Sequence, residues 1–208
     1  MKKECILGIL FFGSLWGFSE AVFGGLLYYL DVPYSSVYLT MIGFSVLTVA
    51  MIYLPGVGIL STIAAVAMLY KFLNTPFFAC HLLGILLLGV SYDLFFNILK
   101  LKNRPICAAL AAYTGYGLFA LMITYMFRYS SWAEGGLSKI FNHVGISGTL
   151  AALGCAIVVP LSYRFGKWLQ ISKAHTGLTG SFARARLGLV TAGMWLFALA
   201  VFVLRYHQ

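Results

Sequence analysis

Apolar residues dominate the chain in long runs, broken by short clusters of Pro, Gly, Asn and charge. Seven runs stand out, at roughly 5–30, 36–54, 57–72, 77–99, 106–127, 143–168 and 187–205. Most approach the ~20 residues that an α-helix needs to cross a bilayer. The breaks carry stop signals: Asp31-Val32-Pro33 after the first run, Pro55-Gly56 after the second, Asn74-Thr75-Pro76 before the fourth. The second and third runs are joined by almost nothing, so they form a tight hairpin or a pair that does not fully span. Two connections are longer than a turn: 128–142, and the basic, Ser/Thr/Gly-rich 169–186. The pattern predicts an all-α, polytopic bundle of about six to seven spanning helices, with 1–208 as a single integral membrane domain.

The first run has an internal order. Gly13, Gly17, Ala21 and Gly25 recur every four residues and line up along one helix face. Small residues at this spacing let another helix approach closely in a membrane. Beside them run Trp16, Glu20 and Gly24 at the same spacing. A carboxylate inside an apolar helix is costly in hydrocarbon and is a functional candidate by default.

Composition supports the membrane reading. The chain is 62% hydrophobic and 9% charged, against about 25% charged in a soluble domain. Its formal charge of +9 sits mostly at segment ends, so it reads as a topology signal and not as a nucleic-acid surface. With the N-terminus in the cytoplasm, ten of the 14 Lys and Arg fall inside, which favours that orientation. The opening Met1-Lys2-Lys3 imitates a signal peptide, but the apolar run is too long for one. Cys5, Cys80, Cys107 and Cys155 form no CxxC pair and read as buried structural thiols.

Few groups are left to carry chemistry. Glu20 is either a ligand for a cationic or hydrogen-bonding substrate, a proton site, or a carboxyl bonded to a neighbouring helix. Asp93 and Asn97 are four apart, with Gly89 a turn earlier. They make a polar pocket floor, an interhelical hydrogen bond, or an ion pair with Lys100. His81 and His143 share a depth near the outer side and are candidate ligands for a metal or haem. Outer aromatics, among them Tyr28, Tyr29, Tyr34, Tyr38, Phe77, Phe78, Tyr125, Tyr129 and Trp132, form an interfacial belt or line a site for a planar ligand. No Walker A, GxSxG or HExxH motif is present, and no enzyme is expected.

The small size, the basic charge and the small-xxx-small first helix resemble the substrate-binding S component of energy-coupling factor transporters. Gly17 and Ala21 match in kind the Ala-xxx-Ala type motif of that family's first helix. The resemblance implies a prokaryotic inner-membrane protein that captures a vitamin-like solute or metal ion from outside. Glu20, Trp16, Tyr28, Tyr29, His81, Asp93 and Asn97 would contact the solute. The stripe Gly13, Gly17, Ala21 and Gly25 would dock a transmembrane partner that works with ATPase subunits. The alternative is a membrane-embedded haem or metal redox protein using His81 and His143.

Overall fold

The computed structural model describes residues 3–73, 79–176 and 180–206. The described residues are helical apart from short turns, with no strand. Helix α1 is Lys3–Tyr29, α2 Ser35–Tyr53 and α3 Ile59–Leu69, the last closed by a tight 3-10 turn, Tyr70–Leu73. Then come α4 (Ala79–Asp93), α5 (Arg104–Leu121), α6 (Ser130–Asn142), α7 (Thr149–Thr176) and α8 (Gly180–Tyr206). Wider π turns extend α4 and α5 and join α6 to α7. Among the described residues, six helical stretches are long and apolar enough to cross a membrane, and α3 is not one of them. Its 11 residues reach only about 16 Å, half of a ~30 Å hydrocarbon core. Asn74–Pro76, Phe77 and Phe78 lie outside the described residues.

Six helices close into a ring in the order α1, α2, α7, α5, α4, α3, and α8 lies outside it against α1. Contacts give the directions. Gly13 and Gly17 of α1 meet Val66 and Tyr70 of α3 in rising order, so these two run parallel. Gly154 and Gly166 of α7 meet Met41 and Ile52 of α2 in the same sense. The remaining neighbours in the ring are antiparallel. Call the C-terminal end of α1 the upper end. Lys100, Lys102 and Arg104 then gather with Arg164 and Lys167 at the lower end, where the Arg104 guanidinium lies 3.5 Å over the Tyr163 ring.

The seam between α1 and α3 explains the glycine ladder. A Cβ on Gly13 would stand 2.5 Å from Val66 Cβ, and one on Gly17 2.7 Å from the Ala67 carbonyl. Any side chain there would force the helices apart. The ladder is therefore filled by the chain's own third helix, which corrects the expectation that Gly13 and Gly17 dock a partner subunit. Ala21 is half-buried above them, and Gly25 lines a cavity described below.

The lower half of the ring is solid. Tyr92 is fully buried, edge-on to Phe44 at 4.7 Å and stacked on Phe96 at 4.3 Å. Thr48 gives its proton to the Phe44 carbonyl, so the Tyr92 hydroxyl donates to Thr48 Oγ1 at 2.7 Å. Below this, Asp93 Oδ2 accepts from the Ser61 hydroxyl at 2.9 Å and the Ser61 N–H at 3.3 Å. Its Oδ1 accepts from Asn97 Nδ2 at 2.7 Å, and Asn97 also donates to the Gly56 carbonyl. Asp93 and Asn97 thus clamp the start of α3 to the end of α4. They are the interhelical hydrogen bond among the expected readings, not a pocket floor, and Asp93 pairs with Ser61 in place of Lys100.

Two connections differ from expectation. Residues 130–142 form α6, kinked at Gly136 (φ 51°), where a loop was expected. Polar residues and two glycines hid an amphipathic helix whose inner side carries Trp132 and Ile140. The 169–186 segment is largely helical too: α7 runs through Pro160 to Thr176 and α8 begins at Gly180. The turn after α1 does follow its signal. Val32 N–H bonds the Leu27 carbonyl and Asp31 N–H that of Tyr28, with Asp31 left-handed at φ 50°, the closing pattern of many helix ends.

Candidate functional site

The upper half of the ring is hollow. Because α3 stops early, the space above its end holds a cavity of about 510 Å³, within the range of small-molecule sites. Its floor carries charge. Lys71, in the turn that ends α3, sets its Nζ 3.0 Å from Glu20 Oε2, and both side chains are only 6% exposed. Lys71 Nζ also donates to the Glu20 carbonyl at 3.2 Å. Trp16 Nε1 donates to Glu20 Oε1 at 3.3 Å. A paired, hydrogen-bonded ion is the form in which charge survives burial.

Hydroxyls and rings complete the walls. Thr40 spends its proton on the Ser36 carbonyl, so Tyr116 donates to Thr40 Oγ1 at 3.2 Å, and the Tyr116 oxygen also takes a hydrogen bond from the Ser36 side chain. Ile85, Leu88 and Leu39 supply apolar surface. Higher up, His143 lies between Tyr116 and Trp132, with ring centroids 5.2 and 5.1 Å away, and Phe119 meets Trp132 edge-on at 5.5 Å. His81, Cys80 and Tyr28 reach the same cavity from α4 and the top of α1. Gly24, Gly25 and Gly84 keep parts of the wall bare. A second recess of about 210 Å³ lies beyond Trp132 and His143, lined by Tyr34 and Lys139 among others.

Of the expected contacts, Glu20, Tyr28 and His81 line the cavity. Trp16 does not. Its ring is fully buried in the notch left by Gly43 of α2, where a Cβ would stand 2.5 Å away, and only its N–H serves Glu20. Tyr29 points outward, 85% exposed. Asp93 and Asn97 belong to the lower clamp. His81 and His143 do converge on one cavity, as their depths implied. Among the described residues, however, no three His, Cys, Asp or Glu side chains gather to hold a metal ion.

Lys71, Thr40, Tyr116 and Phe119 are among the wall residues that sequence reasoning missed. The orientation with ten of the 14 basic residues inside leaves Lys71 among the four outer, topology-setting cations. The signal that could have found it is the length of its segment. A run as short as 57–72 cannot carry its terminal cation to the interface, so that cation needs a buried partner, and Glu20 is the acid that the first helix holds in reserve.

Comparison of the chain with family models, with curated proteins and with solved structures found no match.

Proposed function

We propose that this multi-pass membrane protein captures a small solute in the upper cavity and serves as the binding subunit of an uptake system. The observation that carries the reading is the cavity itself: about 510 Å³ inside an apolar bundle, with a buried ion pair at its floor. Burial of unshared charge is expensive, and a bundle built only to be stable would do as well with apolar side chains there. Polar groups converging on an aromatic-walled hollow are what a ligand site requires. The upper end faces outside if the basic lower end is cytoplasmic, in a prokaryotic inner membrane. The chain carries no nucleotide-binding motif, so energised transport needs ATPase and transmembrane partners. This is the division of labour that the resemblance to energy-coupling factor S components implies. Their docking surface has to be other than the Gly13–Gly17 seam, which α3 occupies.

Gly84→Leu tests the reading. Gly84 lines the cavity, and among the described residues a Cβ there meets only Phe119 within 4 Å, at 3.8 Å. The larger side chain therefore fills the hollow without straining the helix. Purification in mild detergent followed by extraction and mass spectrometry should find a small molecule with the parent chain and lose it with the variant. Equal retention by both chains, or none by either, refutes capture in this cavity. A visible absorption band in the parent chain, lost on His81→Ala, would instead favour the haem or metal alternative.

A further inference from the structure

The charge balance of the cavity restricts what it can hold. Among the described lining residues only Glu20 and Lys71 are charged, apart from the titratable histidines, and residues 74–78 carry no ionisable side chain. The floor is therefore a dipole with no net charge. Both ends have capacity left. Lys71 commits two N–H groups to Glu20, and an ammonium has three. Each Glu20 oxygen takes one donor, from Trp16 and from Lys71, and a carboxylate oxygen can take two. Beside the ammonium the wall is bare: a Cβ on Gly24 would stand 3.4 Å from Lys71 Nζ.

A solute with one charge would bring that charge uncompensated into a low-dielectric bundle. A solute with both charges adjacent would not. An ammonium and a carboxylate on one carbon stand about as far apart as Lys71 and Glu20, at 3.0 Å. Laid antiparallel against the pair, they make a closed quartet of alternating charges without prising it open. The remaining volume is walled by Ile85, Leu88, Phe119 and Trp132, which suits a bulky apolar or ring-bearing substituent. We propose that the cavity binds an α-amino-acid-like zwitterion, its ammonium on Glu20, its carboxylate on Lys71 and its side chain among the rings. This rests on the solute-capture reading above.

The test is calorimetric titration of the full chain in lipid nanodiscs at neutral pH. The probes are L-tryptophan, L-phenylalanine, L-leucine and L-methionine, each beside its decarboxylated amine and its deaminated acid. At least one amino acid should bind ten times more tightly than both singly charged counterparts. The neutral-pair variant Glu20→Gln/Lys71→Met should fold and lose that tenfold preference. Equal or tighter binding of an amine or acid overturns the zwitterion assignment, as does an unchanged preference in the neutral-pair variant. If no amino acid binds while mass spectrometry finds another solute that Gly84→Leu loses, the zwitterion class falls and capture stands. If nothing is retained at all, both fall.

Discussion

Gly17→Ala is the smallest change that tests whether the α1–α3 seam fixes the site. The added methyl would stand 2.5 Å from Tyr70 Cδ2, 2.8 Å from its Cγ and 2.7 Å from the Ala67 carbonyl oxygen. The carbonyl belongs to the backbone of α3 and cannot rotate away. Nor can the Tyr70 ring, which is fully buried and held against Trp195 of α8 at 4.1 Å. The helices must therefore part. Ordinary contact begins near 3.4 Å, so the gap at Tyr70 Cδ2 has to grow by roughly 0.9 Å, enough to forfeit a quarter to a half of the dispersion attraction along the seam. Overpacking of this kind costs about 1–3 kcal/mol, and the better helix propensity of Ala returns less than ~1 kcal/mol. A net loss of about 1 kcal/mol against the parent chain, and about 2 kcal/mol against an Ala introduced where there is room, is expected. Gly117→Ala is the control, since nothing lies within 4 Å of a Cβ there. Reversible SDS unfolding of both variants in mixed micelles gives the difference directly. Lys71 rides on the end of α3, so the shift should also weaken solute retention. If Gly17→Ala proves as stable as Gly117→Ala, the seam is not the tight contact described.

Two further outcomes follow from the buried polar groups. Lys71→Met should cost about 3 kcal/mol, the lower end for a broken buried pair, because the cavity is roomy enough to admit water to Glu20. In the same unfolding assay Glu20→Gln/Lys71→Met should recover most of that loss; a double variant as unstable as the single one would show that the pair was not coupled. Asp93→Ala leaves the Ser61 and Asn97 donors without their acceptor and should cost about 1–3 kcal/mol. It should not alter solute retention by mass spectrometry, because Ser61 and Lys71 sit at opposite ends of α3, about 15 Å apart along its axis.

What the sequence could and could not disclose follows from the range of each interaction. Segment positions are local properties, and hydropathy places α1 and α2 within a few residues, but it stops short of the end of α7 at Thr176 and of the start of α8 at Gly180, because polar and basic residues there read as a loop. Helix α6 escapes because an amphipathic helix with Gly135 and Gly136 looks like a polar loop to a hydropathy window. The Gly13–Gly25 ladder announces a close helix approach and cannot name the neighbour, since Val66, Ala67 and Tyr70 are brought to it by tertiary packing alone. Trp16 and Glu20 share one face of α1, yet one fills a core notch and the other meets a cavity. That difference comes from Gly43 on one neighbouring helix and Lys71 on the other. The Asp93–Asn97 spacing marks a polar pair but cannot tell a clamp from a solute contact, because its partner Ser61 is 32 residues away.

One feature of α3 produces both the hollow and its charge. Had the apolar run continued for another two turns, the helix would have filled the upper ring and carried its terminal cation to the interface, where a Lys is cheap. Ending at Leu69 with its tight turn instead, it leaves the space open and leaves Lys71 buried, where it is stable only against an acid. Glu20 is that acid, held by Trp16, which is itself fixed by Gly43. A cavity alone weakens packing, and a buried ion pair alone gains little over apolar side chains. Each is a liability for stability, and placing them together makes neither cheaper. A solute that fills the one and completes the other would offset both costs at once, and binding energy drawn from that relief is available only when the right charges arrive together.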